Sequence, residues 1–434
     1  MINVKTATVG LTYIPNLHVA NEFRFGGTWN NSNGTFTPGN FGGATPLSLS
    51  DIPGLNTANA NLFFYLNFGL RPVIRIVPRK IDQTQFNIVD SLAVTHGRHM
   101  LKFGVDWRQV RNDEPLPSVY EYPVFANQAQ ILNNAPSFIS IFRFRGGSMA
   151  PVYQNFSAYV QDEWKATSRL SVSAGVRWDV NPAPYDANGN DPYTVNQITD
   201  WSTTTVAAHG SPLWATRWTN FAPRIGLAYQ IHTAPRFETV LRGGGGLFYD
   251  TGNTLGTMGY WGLGVVGLKT YTGVSAPASE SLVESTLLPS VDAPYQNTIY
   301  AFDPHLKLPR TMQWNLTLEQ MLGSKQTLRV GYVGSAGRRL LLWQEYYPGN
   351  LGNTNFASDG SFGSAVELTT NGSSSNYSSL QAQFQSQPFH GLQSLISYTW
   401  SHSIDNASTS FQSYQVLKAS SDFDVRSNLQ AAIS

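Results

Sequence analysis

Between Asn155 and Val180 the chain reads NFSAYVQDEWKATSRLSVSAGVRWDV, two alternating runs around a short polar turn. In the second run Leu170, Val172, Ala174, Val176, Trp178 and Val180 fall on one face, and Ser171, Ser173, Gly175, Arg177 and Asp179 on the other. Period-two alternation predicts a strand with one apolar and one hydrated side. The run lasts about eleven residues, longer than the buried face of most soluble sandwich strands and the length a tilted strand needs to cross a bilayer. The stretch therefore predicts one hairpin of a transmembrane barrel.

The same grammar recurs along the chain. Phe86, Ile88, Leu92 and Val94 line one face, the turn THGRH follows, and Leu101, Phe103, Val105 and Trp107 line the return. Further pairs are NFAPRIGLAYQI (from Asn220) with FETVLRGGGGLFYD, TMQWNLTLEQM (from Thr311) with TLRVGYVG, and YSSLQAQFQSQ (from Tyr377) with LQSLISYTWSHS; DFDVRSNLQAAIS supplies a last strand. Before residue 80 the pattern is irregular, with β-rich pieces at Thr6–Tyr13, Leu62–Leu70 and Val73–Val77 among Gly, Asn, Ser and Pro clusters. The expected organisation is a single barrel over 1–434, with irregular strands and loops in 1–80, clear hairpins in 81–434, and roughly 13 to 16 strands in all.

Connections alternate as regularly as strands. Short turns fall near His96, Ala166, His232, Gly323 and Phe389, while long polar segments fill roughly 113–152, 182–219, 251–309, 347–375 and 404–420. Short and long ends thus lie on opposite sides of the sheet, as in outer-membrane barrels; a propeller would repeat about every 40 to 50 residues with uniform connections. This alternation also constrains Gln326–Tyr346, which a local reading would split at GSAGRR. It must be one long strand, with a bulge or kink expected at Gly334–Gly337, or every later turn would change sides. Trp107, Trp164, Trp178, Trp314 and Trp400 sit at or towards strand ends on the outward parity, the places of an aromatic girdle; ordinary core filling is the alternative. Asp162 shares the lipid-facing parity of Val160 and Trp164, so a headgroup-level position or a bulge is expected there.

Composition agrees with a membrane sheet without demanding one. Charged residues make up 13% and aromatics 13%, and the formal net charge is +1, which excludes a nucleic-acid surface built on bulk electrostatics. No apolar run approaches the eighteen or so residues of a transmembrane helix, but barrel strands alternate and escape that measure. The absence of Cys removes disulfides and thiolate chemistry. The start, MINVKTATVGLTYIPNL, lacks the basic and apolar regions of a secretory signal, so the sequence is expected to be a fragment of a longer exported chain.

Candidate chemistry is sparse. Gly262, Gly264 and Gly267 form G-x-G-x-x-G without the strand–turn–helix unit that would make it a dinucleotide site, and Gly243–Gly246 lacks the Lys-Ser/Thr of a phosphate loop. His96 and His99 flank a turn with no carboxylate nearby in sequence, which favours a solvated turn over a metal site. Ser401, His402 and Asp405 imitate a triad where no nucleophile elbow exists. Glu280 and Glu284 are expected in a loop, where a spacing of four does not pair them. Asp422 and Asp424 are read as luminal structural charges beside Arg426. Trp201, Trp214 and Trp218 are the loop aromatics able to stack on a ligand, with packing of a large loop as the other reading. No catalytic, metal or cofactor residue is expected.

Taken together, NFSAYVQDEWKATSRLSVSAGVRWD, HGRHMLKFGVDWR, NFAPRIGLAYQ with TVLRGGGGLFYD, QWNLTLEQMLGSKQTLRVGYVGSAGRRLL, and GLQSLISYTWSHSIDNASTS with SDFDVRSNLQ resemble the barrel of an Oar-like TonB-dependent receptor. The likeness runs from about residue 84 to the end. It implies a bacterial outer-membrane barrel of 22 strands, a plug domain, a carboxypeptidase-regulatory-like domain, an extracellular ligand held by loops and plug, and energy coupling through TonB. The chain departs from that pattern in showing no plug, energy-coupling box or regulatory-like domain, and in ending without the aromatic residue usual at the barrel C-terminus. The reading is energy-coupled uptake of a large or scarce solute. Its rivals are a non-transporting structural or adhesive barrel and a secreted β-rich glycan-binding protein.

Overall fold

The computed structural model describes residues 2–36, 39–40, 43, 45, 60–68, 73–251, 254–295, 297–357, 365–389, 391–408 and 417–434. The end of the Leu62–Leu70 piece, position 390 in the last short turn, and parts of the 347–375 and 404–420 connections lie outside the described residues.

Thirteen strands form the wall: β1 (Ile2–Asn16), β2 (Val19–Phe36), β3 (Val73–His96), β4 (His99–Pro115), β5 (Pro151–Trp164), β6 (Leu170–Val180), β7 (Asn220–His232), β8 (Thr239–Tyr249), β9 (Arg310–Leu322), β10 (Gln326–Tyr346), β11 (Val366–Phe389), β12 (Leu392–Asp405) and β13 (Ser427–Ile433). Each pairs antiparallel with the next. Among the described residues β1 and β13 do not pair with each other, so the sheet is an open, incomplete barrel wall. No helix of the described residues is long and apolar enough to cross a membrane.

Register decides which side chains meet lipid. One unbroken row runs Leu241–Leu318–Val330–Ala382–Tyr398–Leu429 across six strands. Another joins Phe103, Val160, Val176 and Pro223. Ile225 is 59% exposed and Leu316 52%, and the surrounding apolar band exceeds what a soluble monomer tolerates. Trp107, Trp178, Trp314 and Trp400 each stand eight residues from the short-turn end of their strand (His99, Leu170, Leu322 and Leu392). At about 3.3 Å per residue and a tilt near 40° that is a height of about 20 Å, close to the apolar band of an outer-membrane barrel. Trp164 closes its strand at the opposite, short-turn boundary.

Two expectations are revised by the wall. The expected β-rich piece Thr6–Tyr13 lies within β1, and β2, which the sequence pattern did not mark, completes a full hairpin in which Val9, Leu11 and Tyr13 face outward with Phe25, Phe23 and Asn21. The polar run Asn30–Gly34 continues β2 against β3 and is no loop. Gln326–Tyr346 is one strand, but its irregularity comes just past Gly337, between Gly337 and Leu340 and again before Leu342. Gly334 is regularly paired because the Trp314 indole lies over it; a Cβ there would come within 2.3 Å of the ring. Arg339 takes the strain with φ at +57°, and the Arg338 guanidinium donates to the carbonyls of Gly337 and Ser375 and to Asn376 Oδ1 at 2.8 to 2.9 Å.

The long connections fold. A cap sheet lines up the top of β3, Asn61–Leu66, Val119–Phe125, Phe138–Phe144 and Val266–Tyr271. Leu62, Ile139 and Ile141 are fully buried beneath it. A second cluster gathers Leu263, Ile299, Ala301, Val366 and Leu368, where Ile299–Phe302 runs parallel to the top of β11. Two short helices decorate the cap, α1 (Gln128–Leu132), capped by Asn127, and α2 (Glu280–Glu284). Glu280 and Glu284 therefore lie on a helical turn, contrary to the loop expected; the Val283 and Ser285 N–H groups close it by donating to the Ser279 and Ser281 carbonyls, and Val283 packs into the cap core.

Candidate ligand path

Inward-facing residues of β4 to β8 build a charged wall. Lys102 Nζ meets Glu163 Oε1 at 2.8 Å; the Arg177 guanidinium reaches Asp179 at 2.9 Å and Asp106 at 3.5 Å, and also donates to Ser157. The Arg224 guanidinium lies 4.3 Å over the Phe248 ring. Lys102, Tyr159, Gln161, Ser173, Arg177 and Arg224 line a recess of about 490 Å³. A second recess, about 460 Å³, is lined by Tyr377, Gln381, Ser397, Thr399 and Asp424 on the β11–β13 side. Such surfaces can hold a hydrated, polar or charged body by many weak contacts. Among the described residues no group of three His, Asp or Glu could hold a metal ion.

Two carboxyls at the long-connection end are wholly or partly buried. Glu121 is fully buried; its Oε2 accepts the Ala278 N–H at 3.2 Å while Oε1 has no partner. Burial pushes its pKa up to about 7, only partly opposed by that bond. Glu367, at the long-connection end of β11, is raised to about 7 by burial and by Glu345 directly opposite.

The residues singled out from sequence scatter. Trp201 stacks on Tyr346 at 4.5 Å, and Trp214 is buried against Phe302 at 5.0 Å. Trp218 is 62% exposed, and its carbonyl accepts the Trp178 indole N–H at 2.7 Å. None of the three lines either recess. The three members of the imitated triad separate: His402 Nδ1 bonds Asp424 Oδ2 at 3.0 Å, Asp405 accepts from Ser408, and Ser401 donates to the Val425 carbonyl. Asp424 also receives the Ser403 N–H and faces Arg426 at 3.9 Å. The G-x-G-x-x-G glycines are packing positions: a Cβ on Gly267 would meet the Leu287 carbonyl oxygen at 2.1 Å.

His99 remains solvent-accessible at the turn but is engaged by a carboxylate that its own neighbourhood in sequence does not show. Its Nδ1 pairs with Asp162 Oδ2 at 2.7 Å, and its ring stacks on Trp164 at 5.5 Å and 6°. The partner lies 63 residues away, on the neighbouring strand β5. This also explains the outward Asp162, whose strand pairs with β4 through an unbroken register and needs no bulge. Aligning the two turn-side strand ends would have revealed the pair in the sequence.

The family model described as outer membrane beta barrel domain matches residues 2–434. No curated protein matches in sequence. Among solved structures, the chain is similar to the outer membrane transporter YddB from Escherichia coli (13% identity, TM-score 0.56), covering 100% of this chain and 49% of that one. It is also similar to the pyoverdine outer membrane receptor FpvA from Pseudomonas aeruginosa (9%, TM-score 0.49, 99% and 47% covered) and the ferric-catecholate import receptor Fiu from Escherichia coli (11%, 0.47, 100% and 51%). The chain spans about half the length of these structures.

Proposed function

We propose that this chain, which belongs to the outer membrane beta-barrel domain family, is a non-enzymatic, receptor-type barrel of the bacterial outer membrane that serves energy-coupled uptake of a large or scarce polar solute. The observation that carries this reading is the charged inner wall beneath a cap with its own core: Lys102, Arg177 and Arg224 line a recess there. An adhesive barrel needs an outer surface but no such lining. Ligand capture belongs to the cap, passage to the wall, and the force to a TonB complex acting through a plug domain.

In this reading the barrel is one functional unit over 1–434. Trp107, Trp178, Trp314 and Trp400 mark the outer boundary of the lipid, and Trp164 the inner one. Trp201 and Trp214 serve as posts of the cap, where their ring contacts are made, and Trp218 extends the outer boundary beside Trp178. The test is solute accumulation by cells producing the protein in its native chain, with and without an energised inner membrane. Uptake that needs both the protein and the energy, and that drops in Arg177→Gln/Arg224→Gln, supports the proposal. Surface binding with no energy-dependent accumulation favours the adhesive reading.

A further inference from the structure

The formal charge of +1 conceals a strong polarity from one end of the barrel to the other. The short turns, periplasmic in outer-membrane barrels, join six pairs of wall strands; the one between β11 and β12 carries no Lys or Arg, and the other five connect β1–β2, β3–β4, β5–β6, β7–β8 and β9–β10. They carry Arg98, Lys165, Arg169, Arg236 and Lys325, all exposed, with His18, His96 and His232 also exposed beside them. Within these five turns the one carboxylate is Glu238. In the long connections 116–150, 181–219 and 250–309 taken together, by contrast, nine Asp and Glu stand against five Lys and Arg, the excess lying in the second and third. Among the described residues no carboxylate lies within ion-pair distance of Arg98, Lys165, Arg169 or Arg236; the Arg98 guanidinium instead spans to the next turn and donates to the Ala166 carbonyl at 3.1 Å.

We propose that this basic rim is a docking surface for the anionic headgroups of the periplasmic-leaflet phospholipids. Three features favour lipid over a protein partner. The cations are spread over successive turns instead of forming one patch, as an annulus of lipid requires and a single docked protein does not. Each turn lies directly below outward apolar residues, such as Leu101 and Phe103 on β4 or Leu227 and Tyr229 on β7, so long cationic side chains reach headgroup phosphates while their stems stay against the acyl boundary. The His99–Trp164 stack, tied down by Asp162, fixes an aromatic platform at the same level, where such rings sit at a membrane interface.

The rim takes phosphodiester or carboxylate charge in general, and the experiment separates the sources. The protein, purified in its native chain from outer membranes, is placed in vesicles containing spin-labelled phosphatidylglycerol or phosphatidylcholine, and the motionally restricted fraction gives the relative association of each lipid. We expect a preference for phosphatidylglycerol of about threefold or more that falls towards one at about 1 M salt, where the screening length shrinks to about 3 Å. The variant R98Q/K165Q/R169Q/R236Q should lose the preference while keeping heat-modifiable migration. If that variant fails to fold, the salt titration of the unaltered protein still decides. No preference in the unaltered protein, a preference unchanged in the folded variant, or displacement of the lipid by millimolar inorganic phosphate would each overturn the proposal.

Discussion

The wall and the cap solve the same problem, burying apolar side chains, in opposite ways. In the wall Phe103, Ile225 and Leu316 point away from the protein, and the polar residues point inward. In the cap Leu62, Ile139 and Ile299 are sealed by neighbouring segments of the chain. The wall borrows half of its core from lipid; the cap supplies its own. Composition alone cannot tell them apart, because both are β-rich and moderately apolar. What differs is where the second surface comes from: a solvent for the wall, distant parts of the sequence for the cap.

The two regions should therefore fail separately. Ile139→Ala removes a fully buried cap side chain and is expected to cost about 2 to 5 kcal/mol. Limited proteolysis should then cut within 116–150 while the wall keeps its heat-modifiable migration, and simultaneous loss of both would erase the distinction. In the wall, Val176→Arg is expected to cost about 2 to 4 kcal/mol near the bilayer midplane, and Ser173→Arg far less, since the latter enters hydrated space. Folding into vesicles measures both, and equal costs would invert the assignment of faces.

Proton linkage sharpens the contrast, because Glu121 belongs to the cap alone. Its pKa is raised from 4.5 to about 7 by burial, so between those values the folded cap holds a proton that the unfolded chain has released. Cap stability is then full below pH 4.5, declines as pH rises to about 7, and levels off above, by up to roughly 3 kcal/mol. Hydrogen exchange of the Val119–Phe125 amides across that range should show the slope, Glu121→Gln should flatten it, and the β6–β7 amides should not follow. The smallest effect belongs to the seam between the regions. Trp218→Ala removes one exposed ring next to Trp178 and should cost about 1 kcal/mol or less, seen as a small shift in Trp fluorescence. A larger loss would mean that Trp218 supports the cap.

Legibility in the sequence followed the same division. Period-two alternation exposed the wall because every strand repeats it against one uniform partner, the lipid, so Val172, Val176 and Trp178 could be assigned locally. Where alternation was blurred by Gly26–Gly27 and the Asn30–Gly34 run, β2 escaped notice, though its register with β3 is unbroken. The cap was invisible as a fold because its contacts are non-local: Leu62 meets Ile76 through one pairing and Glu121 through another. Apart from the β-rich piece at Leu62–Leu70, its segments therefore read as polar loops. The same reason hid Asp162 from His99 and made Ser401, His402 and Asp405 look like companions, when the carboxylate that engages His402 is Asp424.

The parallel pairing of Ile299–Phe302 with Val366–Thr369 also sets an order of events. All of β9 and β10 lies between the two paired segments, so this contact closes a long loop and cannot form until the strands on either side of it stand next to one another. Non-local closure of this kind comes late because the chain entropy must be surrendered before the contact rewards it. Completion of the roof over this part of the barrel is therefore expected to follow docking of the strands beneath it, and protection of the Ile299–Phe302 amides appearing after that of β9 and β10 in pulse-labelled refolding would check that order.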